Sequence, residues 1–339
     1  MEKKGMMLAA IVVVAIVIGA GLWVVLSSND DDGSVTLIDA KGREVTIEDK
    51  PMTIISVSPA LTEMVYALGS GDKIIGVTEY CDYPSAVADG LEDGTIVTIG
   101  GYYYALDEEL IISLDPDVVF LEASVSDQVS LALKLEQAGI NAVIMYEAIN
   151  STMVNDNIEL MGKALHEEYK ASALVNSLGI KFDAIAAKVA DSDEKPSVML
   201  VIWWDTTSIW VAGDGSFADE IIERAGAVNA FDDKVSWASV GTEDVVDADP
   251  DIIILAAMSM GDVGQALGEI EDNPVYADID ATVYTILGQA DNAFLRQSVR
   301  IVEATYICAM MAHPEEFDGT LPMDLGDNYT EYLPSEWAS

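Results

Sequence analysis

Two histidines and two cysteines are the only imidazole and thiol groups in this 339-residue chain. His166 and His313 stand far apart, and neither has a cysteine or histidine partner at metal-ligand spacing. A GxxxxGK[ST] phosphate loop, a GxGxxG turn after a strand and a GxSxG elbow are all missing from the sequence. Acidic runs such as Asp30-Asp31-Asp32 read as solvated surface. The residue types on offer suit binding, not catalysis, and no metal or resident cofactor is expected.

Aromatic residues carry more information, because they fall where strands should end. Tyr80 and Tyr83 follow one strand pattern, Tyr102, Tyr103 and Tyr104 precede a repeated glutamate, Trp203 and Trp204 close a strand, and Trp237 precedes the second glutamate. In open α/β sheets, ligands bind beyond the carboxyl ends of the strands. Flat rings there give large apolar contact at small entropic cost, which fits a bulky, partly apolar ligand. Tyr80, Tyr103, Tyr104, Trp204 and Trp237 are therefore expected in a cleft. Tyr83 and Trp203 fit core packing and ligand contact equally well.

The elements that must position these rings repeat. Glu109 to Leu121, with Asp115-Pro116-Asp117 at its middle, returns as Glu243 to Leu255, with Asp249-Pro250-Asp251. Each copy reads as a short helix, a stop at proline, and an apolar run suited to a strand covered on both faces. A chain that says this twice is expected to form two similar α/β lobes. Glu109 and Glu243 then occupy matching places. Two readings of them stand: acids that stabilise helix N-termini, or a pair that engages two arginine-bearing sockets on a roughly two-fold partner.

The rest of the pattern agrees. Val35 to Ile47 alternates around Lys41-Gly42 as a hairpin. Thr53 to Val57 reads as a strand, and Ser58-Pro59 opens a helix that Gly69 stops. Thr152 to about Val189 shows apolar residues at helical spacing and reads as one long helix, with a possible break near Gly179. Phe294 to Met311 predicts a final helix. The expected organisation is residues 1–28 as anchor or signal, 35–150 as first lobe, 151–192 as interlobe helix, 195–316 as second lobe, and 317–339 as an irregular, mobile acidic tail.

Composition bounds the partners. With 59 acidic against 16 basic residues the net charge is −43, which repels nucleic acid and anionic lipid. The acids are dispersed among apolar segments, so the chain reads as folded with a strongly solvated surface suited to a salt-rich habitat. Lys3 and Lys4 precede an uncharged stretch, Met6 to Leu26, about long enough to cross a hydrocarbon core. That predicts a transmembrane helix with the remainder outside; a cleaved signal peptide is the alternative. Cys81 and Cys308 are too far from it to carry a lipid.

Val57-Ser58-Pro59-Ala60-Leu61-Thr62-Glu63, Gly76 to Pro84 with its Tyr80-Cys81-Asp82-Tyr83-Pro84, and Leu114 to Val119 together resemble the helical-backbone substrate-binding proteins of ABC importers. The likeness runs from about Val35 to Glu316 and is closest to the cobalamin-binding branch. It implies two Rossmann-like lobes joined by one long α-helix, modest closure, and a corrinoid, haem or ferric siderophore as ligand. It also implies docking of Glu109 and Glu243 onto arginines of an ABC permease dimer with its ATPase subunits. Tyr80 matches a ligand-contacting tyrosine, Trp237 a tryptophan that faces the corrin, and Tyr103 stands at a first-lobe aromatic position. Two departures are visible: Glu108 rivals Glu109, and the tryptophan expected after the first repeat strand is replaced near Glu122. A chelatase-like enzyme or metallochaperone on the same plan would need cysteine or histidine at the cleft, and Cys81 alone could begin such a site.

Overall fold

The computed structural model describes residues 33–102, 105–192, 194–205, 208–256 and 263–337. The expected membrane helix lies outside the described residues, as do Tyr103 and Tyr104. Among the described residues, no helix is long and apolar enough to cross a membrane.

The chain opens with the antiparallel hairpin β1 (Val35–Ile38) and β2 (Glu44–Ile47). The first lobe is a five-stranded parallel sheet of β3 (Ile54–Ser56), β4 (Ile74–Val77), β5 (Val97–Thr98), β6 (Val118–Glu122) and β7 (Asn141–Met145), in the order β5-β4-β3-β6-β7. Its helices are α1 (Pro59–Ala67), α2 (Ser85–Asp93), α3 (Glu108–Ser113) and α4 (Ser126–Gln137). The α1 start forms as the sequence predicts: Pro59 stands at the first turn and the Ser58 hydroxyl accepts from the Leu61 N–H at 3.2 Å.

Two helices follow where one long helix is expected. α5 (Ser151–Ala164) and α6 (Glu168–Val189) are separated by a turn in which His166 takes φ +54°. The break falls there and not near Gly179, because α5 folds back against α6. Their approach is so close that a Cβ on Gly162 would lie 2.4 Å from that of Ala171. The strut between the lobes is thus α6 alone, about 33 Å long at 1.5 Å per residue.

The second lobe is a seven-stranded sheet built from β8 (Ser197–Trp204), β9 (Ile209–Ala212), β10 (Val228–Asn229), β11 (Trp237–Val240), β12 (Ile252–Ala256), β13 (Thr282–Ile286) and β14 (Asp324–Leu325). Its order is β11-β9-β8-β12-β13-β14, with β10 also beside β8. Its helices are α7 (Phe217–Arg224), α8 (Thr242–Ala248), α9 (Gly264–Asp272), α10 (Gly288–Leu295) and α11 (Ile301–Ala312). The single last helix expected over 294–311 is interrupted, because residues 296–300 leave the helical path to reach the first lobe.

The repeated segments do the same work in both halves. Asp115 and Asp249 each end a short helix in the left-handed region, at φ +48° and +42°. The next acid, Asp117, accepts from the Met52 and Thr53 N–H groups and the Thr53 hydroxyl, tying the start of β6 to that of β3. Asp251 accepts from the Ser197 N–H and hydroxyl, tying β12 to β8. Strand residues then alternate between two cores. Val118 and Phe120 face one, and Val119 and Leu121 the other. One of these cores runs without interruption through both lobes around α5, α6 and α11.

Residues 317–337 pack against the second lobe. β14 joins β13 in parallel, Phe317 and Trp337 pack edge-on against Tyr306 with centroids 5.1 Å away, and Lys188 and Lys181 lie over those two rings. Phe317, Leu321, Leu325 and Tyr329 are buried, so apolar burial holds a segment whose acids and glycines suggest mobility.

Candidate functional site

A cavity of about 260 Å³ lies between the lobes at the carboxyl ends of the first-lobe strands. Glu122 closes β6 and reaches it, Tyr146 follows β7, Ala60 follows β3, and Tyr102 comes from the loop after β5. Trp237 and Gln297 face them from the second lobe. Trp237 begins β11, paired opposite Ala212 at the end of β9, so the sheet presents its ring at the rim.

The wall is fixed from behind. Gln128, fully buried on α4, accepts from the Glu122 N–H at 2.8 Å and donates to the Tyr102 carbonyl at 3.0 Å. The Tyr102 hydroxyl donates to the Glu122 carboxylate. Burial pushes the Glu122 carboxyl above its ordinary range, with nearby Glu147 acting in the same direction and the Ser58 and Tyr102 hydroxyls opposing them. Asn157, buried on α5, holds Tyr146 by accepting from its N–H and donating to its carbonyl.

Of the aromatic residues expected in the cleft, Trp237 lines the cavity. Trp204 does not: it is 4% exposed and packs edge-on against Tyr276, with centroids 5.5 Å apart, in the second-lobe core. Its neighbour Trp203 is the exposed ring of the pair, and its indole N–H donates to Asp205 at 2.8 Å. Tyr83 is half-buried beneath the Arg300 guanidinium, 4.2 Å from the ring centroid, and faces the lobe junction, not the cavity. The Tyr80 ring is exposed beyond β4, outside the cavity wall, and its carbonyl accepts from Arg296 at 3.2 Å. Tyr102 and Tyr146, which sequence reading did not select, complete the wall.

The two repeated acids stand on α3 and α8 and are both exposed. Their neighbours are occupied. Glu108 pairs with Lys134 of α4, and the Asp244 carboxylate accepts from the Gly241 N–H at 2.8 Å. Glu109 and Glu243 make no ion pair among the described residues. Within each copy, one acid serves its own lobe and the other is left for solvent or a partner.

Comparison with known proteins gives the family. The pattern described as "Periplasmic binding protein" matches residues 54–283. The chain belongs to the periplasmic binding protein family. An uncharacterised ABC transporter substrate-binding lipoprotein of Bacillus subtilis is 30% identical over 292 residues, covering 84% of this chain and 87% of that protein. A cobalamin-binding protein of Halobacterium salinarum is 25% identical over 65% of this chain and 58% of its own length. Among solved structures, a possible iron-binding (periplasmic solute-binding) protein from Staphylococcus epidermidis is 26% identical with a TM-score of 0.65. That match covers 77% of this chain and 98% of the other.

Sequence reading did not find the junction of this periplasmic binding protein's two lobes. Glu63 of α1 and Arg300 at the head of α11 form an ion pair with both side chains 1% exposed. Arg296 bridges Glu63 at 3.1 Å and Asp82 at 2.6 Å, and the Ser298 hydroxyl donates to Glu63. The signal was available: Arg296 and Arg300 are two of only 16 lysines and arginines, and both stand just before the most apolar helix of the second lobe. Cys81 and Cys308 are both free and buried. The Cys81 thiol is bonded to the Thr62 and Thr78 hydroxyls at 3.3 Å, and burial pushes the Cys308 thiol up to about 12. No cluster of metal-ligating side chains occurs among the described residues.

Proposed function

We propose that this chain is the extracytoplasmic substrate-binding component of an ABC importer, taking a corrinoid between its lobes and delivering it to a permease dimer with its ATPase subunits. One observation carries the reading. Aromatic side chains of both lobes, Tyr102 and Tyr146 against Trp237, converge on one cleft at the strand ends while matched acids stay unpaired on the corresponding helices. The name of the Halobacterium relative supports cobalamin as ligand class. The cavity of about 260 Å³ is below the ~300–1,000 Å³ usual for drug-sized ligands. A macrocycle therefore lies across the cleft mouth, with Tyr80 at its edge and part of its rim in the cavity. Glu109 and Glu243 dock the permease, and Met6 to Leu26 anchors the chain in the membrane. The protein binds and hands over; it does no chemistry.

An iron chelate is the second reading, favoured by the likeness to the Staphylococcus protein. Isothermal titration with cobalamin, cobinamide, haem and ferric siderophores separates the two. Binding of the corrinoids is expected, and binding of a siderophore alone overturns the assignment.

A further inference from the structure

The cavity between the lobes is walled by acids and offers no base. Glu122 is 8% exposed and Glu147 stands on the same wall. No lysine, arginine or histidine lines the cavity among the described residues. The arginines flanking the lining residue Gln297 are spent elsewhere: Arg296 on Asp82 and Glu63, Arg300 on Glu63 and the Gln289 carbonyl. The Tyr102 and Ser58 hydroxyls turn toward Glu122 and oppose, without cancelling, the rise that burial and Glu147 impose on its carboxyl.

We propose that Glu122, with Glu147 beside it, sets the specificity of this cleft, admitting ligands whose rim presents uncharged hydrogen-bond donors, carboxamides above all, and rejecting those whose rim carries carboxylates. The inference rests on the cleft being the ligand site of the proposed function and names the class of ligand it takes. The Glu122 oxygens accept hydrogen bonds in either protonation state, and the exposed Glu147 carboxylate accepts them and donates none. A carboxamide NH₂ offers it two donors. A ligand carboxylate in the same place meets a like charge and a second acceptor, with no cation to pair it. The chain's net charge of −43 adds to the rejection at long range.

The test compares ligands with one ring and two rims. Cobinamide and cobyrinic acid share the corrin ring, with carboxamides on the first and carboxylates on the second. Haem and its dimethyl ester, which carries no charge and no donor on its rim, isolate the rejection of carboxylates on a porphyrin. Titrated into the full chain, cobinamide is expected to bind at least about 100-fold more tightly than cobyrinic acid, a difference of two decades in Kd. Glu122→Gln narrows that ratio by about tenfold, through a gain for cobyrinic acid. Glu147→Gln, on an exposed side chain and so safe for folding, narrows it by about threefold. Equal binding of the two corrinoids, or a ratio that neither substitution moves, overturns the charge selection and leaves the corrinoid reading standing. If neither corrinoid binds but the dimethyl ester beats haem by tenfold or more, the corrinoid reading falls and the selection stands. Binding of none of the four ends both.

Discussion

The Arg300 guanidinium, at the head of the second lobe's last helix, donates through Nε and Nη2 to both oxygens of Glu63 on the first lobe's first helix. The pair is sealed from solvent and roofed by the Tyr83 ring. Two lobes that share an uninterrupted apolar core and a buried ion pair form a stiff clasp and not a wide hinge. Ligand-free and ligand-bound protein are accordingly expected to differ by about 1 Å or less in backbone position.

Removing one partner leaves the other charge buried and alone. Arg300→Met is expected to lower unfolding free energy by about 3–5 kcal/mol, and adding Glu63→Gln to recover a good part of that. Urea denaturation of the single and double variants checks it. A single-variant loss under about 1 kcal/mol would show the pair to be incidental.

The buried Glu122 carboxyl makes stability depend on pH. Burial raises its folded pKa above the unfolded value, so the folded state holds the proton more tightly than the unfolded chain. Its contribution is fully present below the unfolded value and is lost as pH rises through the folded one. Glu122→Gln, which cannot ionise, is therefore expected to melt above the wild type at pH 8, with the two converging toward pH 4. Parallel melting curves at both pH values would contradict this.

Truncation after Glu316 removes four buried side chains, Phe317, Leu321, Leu325 and Tyr329, together with strand β14. At roughly 1.5–3 kcal/mol per fully buried side chain, the loss is about 6 kcal/mol or more. Calorimetry of the truncated chain measures it. An unchanged Tm would mean the segment only rests on the surface.

Trp237 supplies the largest second-lobe ring at the cavity. Trp237→Ala is expected to weaken ligand binding by about 30-fold or more, the usual scale for a central aromatic anchor. Trp204→Ala acts differently: it lowers stability by about 3–5 kcal/mol through the cavity it leaves in the second-lobe core. Titration and denaturation of both variants separate the two roles.

Much of this was legible in the residues. The Asp-Pro-Asp repeat located β6 and β12 because each proline stops a helix and each following aspartate caps a neighbouring strand. Ser58-Pro59 located α1 for an equally local reason. Failures came where long-range contact decides. Trp203 and Trp204 look alike in sequence, and a register shift between β8 and β9 at Val201 to Trp203 sets which ring turns inward. The helix break at His166 answers to the packing of Gly162 on Ala171. Glu63 and Arg300 meet across 237 positions, a pairing that no local pattern encodes.

The central claim is that one ligand lies between two like halves while a matched acid on each half engages a two-fold importer. Glu109→Lys combined with Glu243→Lys tests it most directly, with ligand affinity and cellular uptake measured side by side. The account predicts affinity within about twofold of wild type, because neither side chain lines the cavity, and uptake reduced to background. Uptake at the wild-type rate by the doubly reversed protein would contradict it.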